Sequence, residues 1–231
     1  MAPARVRTTD RSHTKRHASI EDSLDEARAT LDAFRRDPAR VESVRAFVDV
    51  ALRTFRAGGT VFCCGNGGSL SQAMHFAEEW TGRFRRDRSA LPATALCDPS
   101  VLTCIANDFG YEQVFARQIE AHGRRGDLLV TISTSGRSPN LLRAARAARK
   151  LEMRTVGLLG RGGGPLAAEV DVPILVAGSG SGADSDSGDG TSDRIQEVHL
   201  QILHAVIEAV ERALFPEIYV EPRSESEAGP G

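Results

Sequence analysis

A chain of 231 residues with 41% hydrophobic and 26% charged side chains has ordinary globular usage, which excludes a fibrous polymer and a wholly disordered chain and suits one domain with appendages. Its formal charge of −2 offers no net attraction to nucleic acid or to an anionic membrane surface, so neither is an expected partner. Aromatic residues are only 5%, so the core must be built from Ala, Val, Leu and Ile, which favours helices laid on a sheet.

Residues 1–19 carry Arg5, Arg7, Arg11, Lys15 and Arg16 with no apolar period and read as a disordered tail, an organelle-targeting peptide being the minor alternative. From Ile20 the spacing of Ile20, Leu24, Ala27, Leu31 and Phe34 predicts an amphipathic helix. Asp37 and Pro38 open a second, whose stripe is Val41, Val44, Phe47, Val48, Ala51, Leu52 and Phe55 before Gly58 and Gly59 stop it. Predicted strands at 60–64, 93–97, 128–133, 155–159 and 172–176 then alternate with helical stretches near 69–83, 99–105, 111–122, 139–151, 163–168 and 193–214. This alternation predicts an α/β fold, a parallel sheet with helices on both faces, and places ligands at the carboxyl ends of the strands. Residues 178–192, GSGSGADSDSGDGTS, have almost nothing to bury and read as a flexible insert; the calcium-loop register fails because Asp189 stands where glycine is required. From Pro216 onward the Pro/Glu/Ser-rich end reads as a frayed tail.

Twenty-seven of the 29 basic residues are arginine, and the two lysines, Lys15 and Lys150, leave none beside the mid-chain motifs for Schiff-base or phosphate chemistry. Cys63, Cys64, Cys97 and Cys104 fit neither a disulfide framework nor a paired-cysteine metal motif and are expected as reduced, buried thiols. No apolar run is long enough for a membrane span or a signal peptide, which predicts a cytoplasmic protein.

Four segments carry chemistry. Residues 65–69, GNGGS, follow a strand and precede a helix: the glycines admit a tight turn and close backbone approach to a ligand, and Ser69 is placed to cap the helix, although such turns often serve only as turns. Residues 133–139, STSGRSP, repeat the arrangement, with hydroxyls on Ser133, Thr134, Ser135 and Ser138, the last as cap before Pro139. Hydroxyls, backbone amides and a helix dipole make a lysine-free phosphate cradle, the alternative being a plain capping loop. His75 and Glu79, four apart on the first motif's helix, can put a nitrogen and a carboxylate oxygen on one ion or one substrate, or form a surface hydrogen bond, while Glu78 points elsewhere. Gln196 and His204 lie eight apart on nearly one helix face, separated by about 12 Å along the axis. His199 falls off that line and reads as a packing residue.

Taken in order, GNGGS, HFAEEWTGRF, NDFGYEQVFARQ, ISTSGRSPN and DRIQEVHLQILH resemble the sedoheptulose 7-phosphate isomerases, also called phosphoheptose isomerases, of the sugar isomerase domain superfamily. The resemblance covers about residues 20–215, read as a single domain. It implies a three-layer sandwich on a five-stranded parallel sheet of flavodoxin-like order plus N-terminal helices, assembled as a homotetramer with active sites at subunit interfaces. It also implies one zinc ion per subunit held by His75, Glu79, Gln196 and His204, and sugar-phosphate contacts from Asn66, Gly67, Gly68, Glu79, Asn107, Asp108, Ser133, Thr134, Ser135, Ser138 and Gln196. The implied reaction converts sedoheptulose 7-phosphate to D-glycero-D-manno-heptose 7-phosphate through an enediol, the first step of activated heptose biosynthesis, with Glu79 as base and His204 as acid. Arg137 departs from the asparagine the family pattern leads one to expect, and the 178–192 insert exceeds the usual connection. A second reading, a non-catalytic protein of the same fold that binds the bacterial replication initiator, would need neither Glu79 nor His204, and this chain keeps both.

Overall fold

The computed structural model describes residues 19–177 and 191–219. Two helices lead. In α1 (Ile20–Arg35) Ser19 and Asp22 cap each other reciprocally, Asp22 N–H donating to Ser19 Oγ at 3.0 Å and Ser19 N–H to Asp22 Oδ2 at 3.1 Å. In α2 (Pro38–Arg56) the Asp37 carboxylate accepts from Ala39 and Arg40 N–H while Pro38 occupies the first turn, where no amide partner is needed.

The remaining elements are β1 (Val61–Gly65), α3 (Gly68–Thr81), β2 (Ala93–Ala95), α4 (Pro99–Phe109), α5 (Ala116–His122), β3 (Leu128–Ser133), α6 (Pro139–Lys150), β4 (Arg154–Gly160), β5 (Val172–Val176) and α7 (Ser192–Leu214). All five strands are parallel, in the order β2-β1-β3-β4-β5. This is the flavodoxin-like order, and it completes the three layers.

Alternation along β1 shows how the core divides. Val61 and Cys63 face Phe47, Phe76, Trp80 and Val206, so α2, α3 and α7 cover that side. Phe62 and Cys64 face Ile105, Ile119, Leu141 and Ala148 of α4, α5 and α6. Both faces are therefore dry, and β1 and β3 are buried at every position, as parallel strands between helical layers require. The chain leaves β1 toward one sheet edge and β3 toward the other, so a crevice opens where the carboxyl ends of these two neighbours meet, with Gly65 paired to Ile132.

Several boundaries differ from the sequence reading. The stretch 111–122 divides into a 3₁₀ turn, Tyr111–Gln113, and α5, the turn starting where Gly110 ends α4 at φ 89°. The expected helix at 163–168 is only a 3₁₀ turn, Pro165–Ala168, since Gly162, Gly163 and Gly164 all adopt positive φ. Pro216–Tyr219, read as tail, forms a 3₁₀ turn that returns the Tyr219 hydroxyl to Glu211 Oε2 at 2.9 Å. The insert lies outside the described residues except for Thr191 and Ser192, which open α7, and the N-terminal tail lies outside them except for Ser19. Cys63 and Cys64 are buried, and burial raises both thiol pKa values, but Cys97 is half-buried and Cys104 exposed, against the expectation of four buried thiols. The reason for the last is that Cys104 sits on the outer face of α4. Among the described residues no helix is long and apolar enough to cross a membrane.

Candidate active site

The two glycine- and hydroxyl-rich loops stand side by side at the crevice. After β1, Gly67 adopts φ 56° and occupies the N-cap of α3. Ser69 is therefore not the cap: it lies buried in the first turn, where its hydroxyl faces Gln196 Nε2 at 3.4 Å. A Cβ on Gly68 would stand 2.8 Å from that same Gln196 nitrogen, so a side chain there would push the Gln196 amide out of its place against the loop. Asn66 exchanges side-chain hydrogen bonds with Asn140 at the start of α6 and accepts a third from the Tyr111 hydroxyl at 2.9 Å.

After β3, Ser133 Oγ accepts from Gly136 N–H at 2.9 Å and Ser135 Oγ from Arg137 N–H at 3.3 Å, so the loop is folded on its own hydroxyls. Thr134 Oγ1 lies 3.3 Å from Ser192 Oγ on α7, which also accepts from Arg161 Nη2. Ser138 holds the N-cap position before Pro139, but its side chain makes no capping bond. Arg137 is exposed. Asn107 and Asp108 stand exposed near the end of α4, Asn107 Nδ2 donating to Asp108 Oδ1 at 2.7 Å.

Helices α3 and α7 run alongside each other away from these loops. Gln72 Nε2 donates to the Gln196 carbonyl at 2.6 Å, and further along both helices His75 Nε2 lies 2.8 Å from His204 Nε2 and 3.5 Å from Glu79 Oε1. Donor atoms of His75, Glu79 and His204 all fall within 4.8 Å of one another, each side chain half-buried. Two imidazole nitrogens at this separation either share a proton or turn their lone pairs toward a common cation. Two nitrogens and a carboxylate oxygen are a donor set that zinc accepts at about 2.0–2.2 Å from each, so the residues fit a divalent ion. Burial raises the Glu79 carboxyl above its ordinary range, and the neighbouring Glu78 adds to the rise. Burial lowers His204, assisted by the adjacent His75 and by Arg85, so its imidazole is disposed to be neutral. His199 is fully buried and faces the sheet, a packing residue whose pKa burial pushes down to about 4.

Both loops and both helical pairs are legible in the sequence; the roles of Asn140, Tyr111 and Arg88 are not. Asn140 and Tyr111 stand inside the quoted motifs ISTSGRSPN and NDFGYEQVFARQ, but nothing local in the sequence states that they meet Asn66.

A family model described as an SIS domain matches residues 24–160, more than half of the chain. With the sheet order, this defines an SIS-domain α/β protein. The chain is 50% identical over 167 residues to the phosphoheptose isomerase of Fusobacterium nucleatum, 72% of this chain and 80% of that one. It is 46% identical over 195 residues to that of Sodalis glossinidius, 84% of this chain and 95% of that one. The solved structure of phosphoheptose isomerase GmhA from Neisseria gonorrhoeae is similar at a TM-score of 0.72 and 34% identity, covering 83% of this chain and 96% of that one. The chain belongs to the phosphoheptose isomerase family. These relatives lend no support to the reading as a protein that binds the replication initiator.

Proposed function

We propose that the chain isomerises sedoheptulose 7-phosphate to D-glycero-D-manno-heptose 7-phosphate, and the observation that carries this reading is the convergence of His75, Glu79 and His204 on α3 and α7, helices that begin at the glycine-rich loop and, through Ser192 against Thr134, at the lysine-free hydroxyl loop. The phosphate binds the loop of Ser133, Thr134, Ser135 and Ser138, where hydroxyls, amides and the α6 dipole supply the donors that the near-neutral chain lacks as surface charge. Asn66, Gly67 and Gly68, with Asn107, Asp108 and Gln196, orient the sugar hydroxyls. The reacting carbons then lie along α3 toward His75, about 9 Å from Ser69 at the helical rise per residue.

Glu79 Oε removes a proton from C1 of the ketose, and the His204 N–H gives a proton to the C2 oxygen, forming the cis-enediol. Return of a proton to C2 with loss of the O1 proton yields the aldose. Zinc held by His75, Glu79 and His204, with Gln196 as the fourth ligand that the family resemblance implies, would supply polarisation of the substrate's carbonyl and hydroxyl oxygens. Homotetramer assembly with interfacial sites and a domain spanning residues 20–215, both resting on the family resemblance, and a cytoplasmic location, resting on the sequence pattern, complete the proposal.

The test is turnover of sedoheptulose 7-phosphate by purified protein, with metal content measured on the same sample and assembly by light scattering. About one zinc per subunit with formation of the aldose is expected. Metal-replete protein that turns over no heptose phosphate overturns the reading.

A further inference from the structure

The end of α3 that carries Glu79 has no basic residue in its last turn to meet its exposed carbonyls. Arg88, in the segment that folds back after α3, fills that role from outside the helix. Its Nη2 donates to the Glu79 carbonyl at 2.7 Å, and its Nη1 to the Trp80 carbonyl at 2.7 Å and the Gly82 carbonyl at 3.1 Å. Its Nε donates to Glu211 Oε1 at 2.8 Å, and both side chains are fully buried. The other Glu211 oxygen takes the Tyr219 hydroxyl, so the network is closed.

Glu211 stands seven residues after His204 on α7, two turns on and within about 20° of the same face. One guanidinium therefore grips the backbone of the residue that supplies the carboxylate and the helix that supplies the second imidazole. Nothing in the proposed chemistry consumes this pair. A buried ion pair is a poor source of net stability compared with apolar packing, so its placement calls for another reason.

We infer that Arg88 is a positioning residue, which through Glu211 sets the distance and register of Glu79 and His75 against His204. The inference rests on the isomerase reading for its kinetic consequence and on the three-donor cluster for its effect on metal affinity. Lysine at this place can keep the charge but not the planar fork that reaches two α3 carbonyls and a carboxylate together.

The test compares full-length wild type with Arg88→Lys. Zinc affinity is measured on metal-stripped protein against a chromophoric chelator, and kcat and KM on sedoheptulose 7-phosphate. The folded variant is expected to lose about tenfold or more in both zinc affinity and kcat. KM is expected to stay within about twofold, because the phosphate loop is untouched. A folded Arg88→Lys with wild-type zinc affinity and kcat overturns the inference, even if its melting temperature falls, since that is all a packing role would move. Should Arg88→Lys fail to fold, the isosteric Glu211→Gln is measured in the same way and decides by the same criteria. If wild type binds zinc but turns over nothing, the isomerase reading fails while the affinity comparison still decides the role of Arg88.

Discussion

Asn66 and Asn140, from the loop after β1 and the first turn of α6, exchange a pair of amide hydrogen bonds, 3.1 Å from Asn66 Nδ2 to Asn140 Oδ1 and 2.8 Å in the return direction. Asn140 is buried and its Oδ1 also takes the Leu141 N–H. The pair ties the two ligand loops across the β1–β3 crevice and fixes which way the Asn66 side chain faces. Asn140→Ala is expected to destabilise the protein by about 1–3 kcal/mol, the cost of leaving a partner unpaired. Asn140→Asp keeps the shape but cannot donate to Asn66 Oδ1 and adds a negative charge beside the phosphate loop. Its KM should rise about tenfold or more, corresponding to about 1.4 kcal/mol of lost binding. Denaturant titration and steady-state kinetics check both, and an unchanged KM in Asn140→Asp would refute the tie between the loops.

Glu79→Gln removes the base while leaving a side chain of the same shape. A loss of kcat of about a hundredfold to ten-thousandfold is expected, the usual range for general base catalysis. Circular dichroism and light scattering should match wild type. A variant that retains most of its turnover would move the base elsewhere.

Gly136 has φ 61°, and a Cβ there would collide with the Gly163 carbonyl. Its N–H also closes the loop on Ser133 Oγ. Gly136→Ala is therefore expected to cost roughly 2 kcal/mol or more, from strain at an unfavourable φ together with the clash. Because the same loop holds the phosphate in the proposed reading, KM should rise in the protein that still folds. Thermal unfolding and kinetics on one preparation read both effects.

His199 gives an acid-stability prediction. Its folded pKa is pushed down to about 4 from an ordinary 6.5 by burial, the Leu159 backbone pulling the other way. The unfolded chain thus binds the proton first, so stability is full above the unfolded pKa and falls as pH drops from about 6.5 toward about 4. The loss attributable to this one residue is roughly 3 kcal/mol over that interval. Denaturant unfolding of wild type and His199→Leu at the two ends should show a shallower decline for the variant. Parallel curves would place the proton uptake on other groups.

Much of the architecture is written locally. The stripes of α1 and α2, the Asp37–Pro38 start and the alternation of apolar runs with helices are consequences of periodicity and capping, which act within a few residues. Both loops were legible for the same reason, glycines and hydroxyls between a strand and a helix. Boundaries failed where a single φ decided them, as at Gly110 and at the glycines before Pro165.

What the sequence determined by itself is therefore the set of elements, the loops and the two helical pairs, His75 with Glu79 and Gln196 with His204, because each is a spacing along one chain segment. Only the tertiary structure decided that His75 and His204, 129 positions apart, stand 2.8 Å from each other, and that the Gln196 amide lies against Gly68 and Ser69. The same holds for Arg88, whose partners are backbone carbonyls and a carboxylate 123 positions away. A backbone carbonyl has no side-chain identity to betray it in a sequence, and the packing of α7 along α3 rests on apolar surface that is silent about which polar residues it brings together.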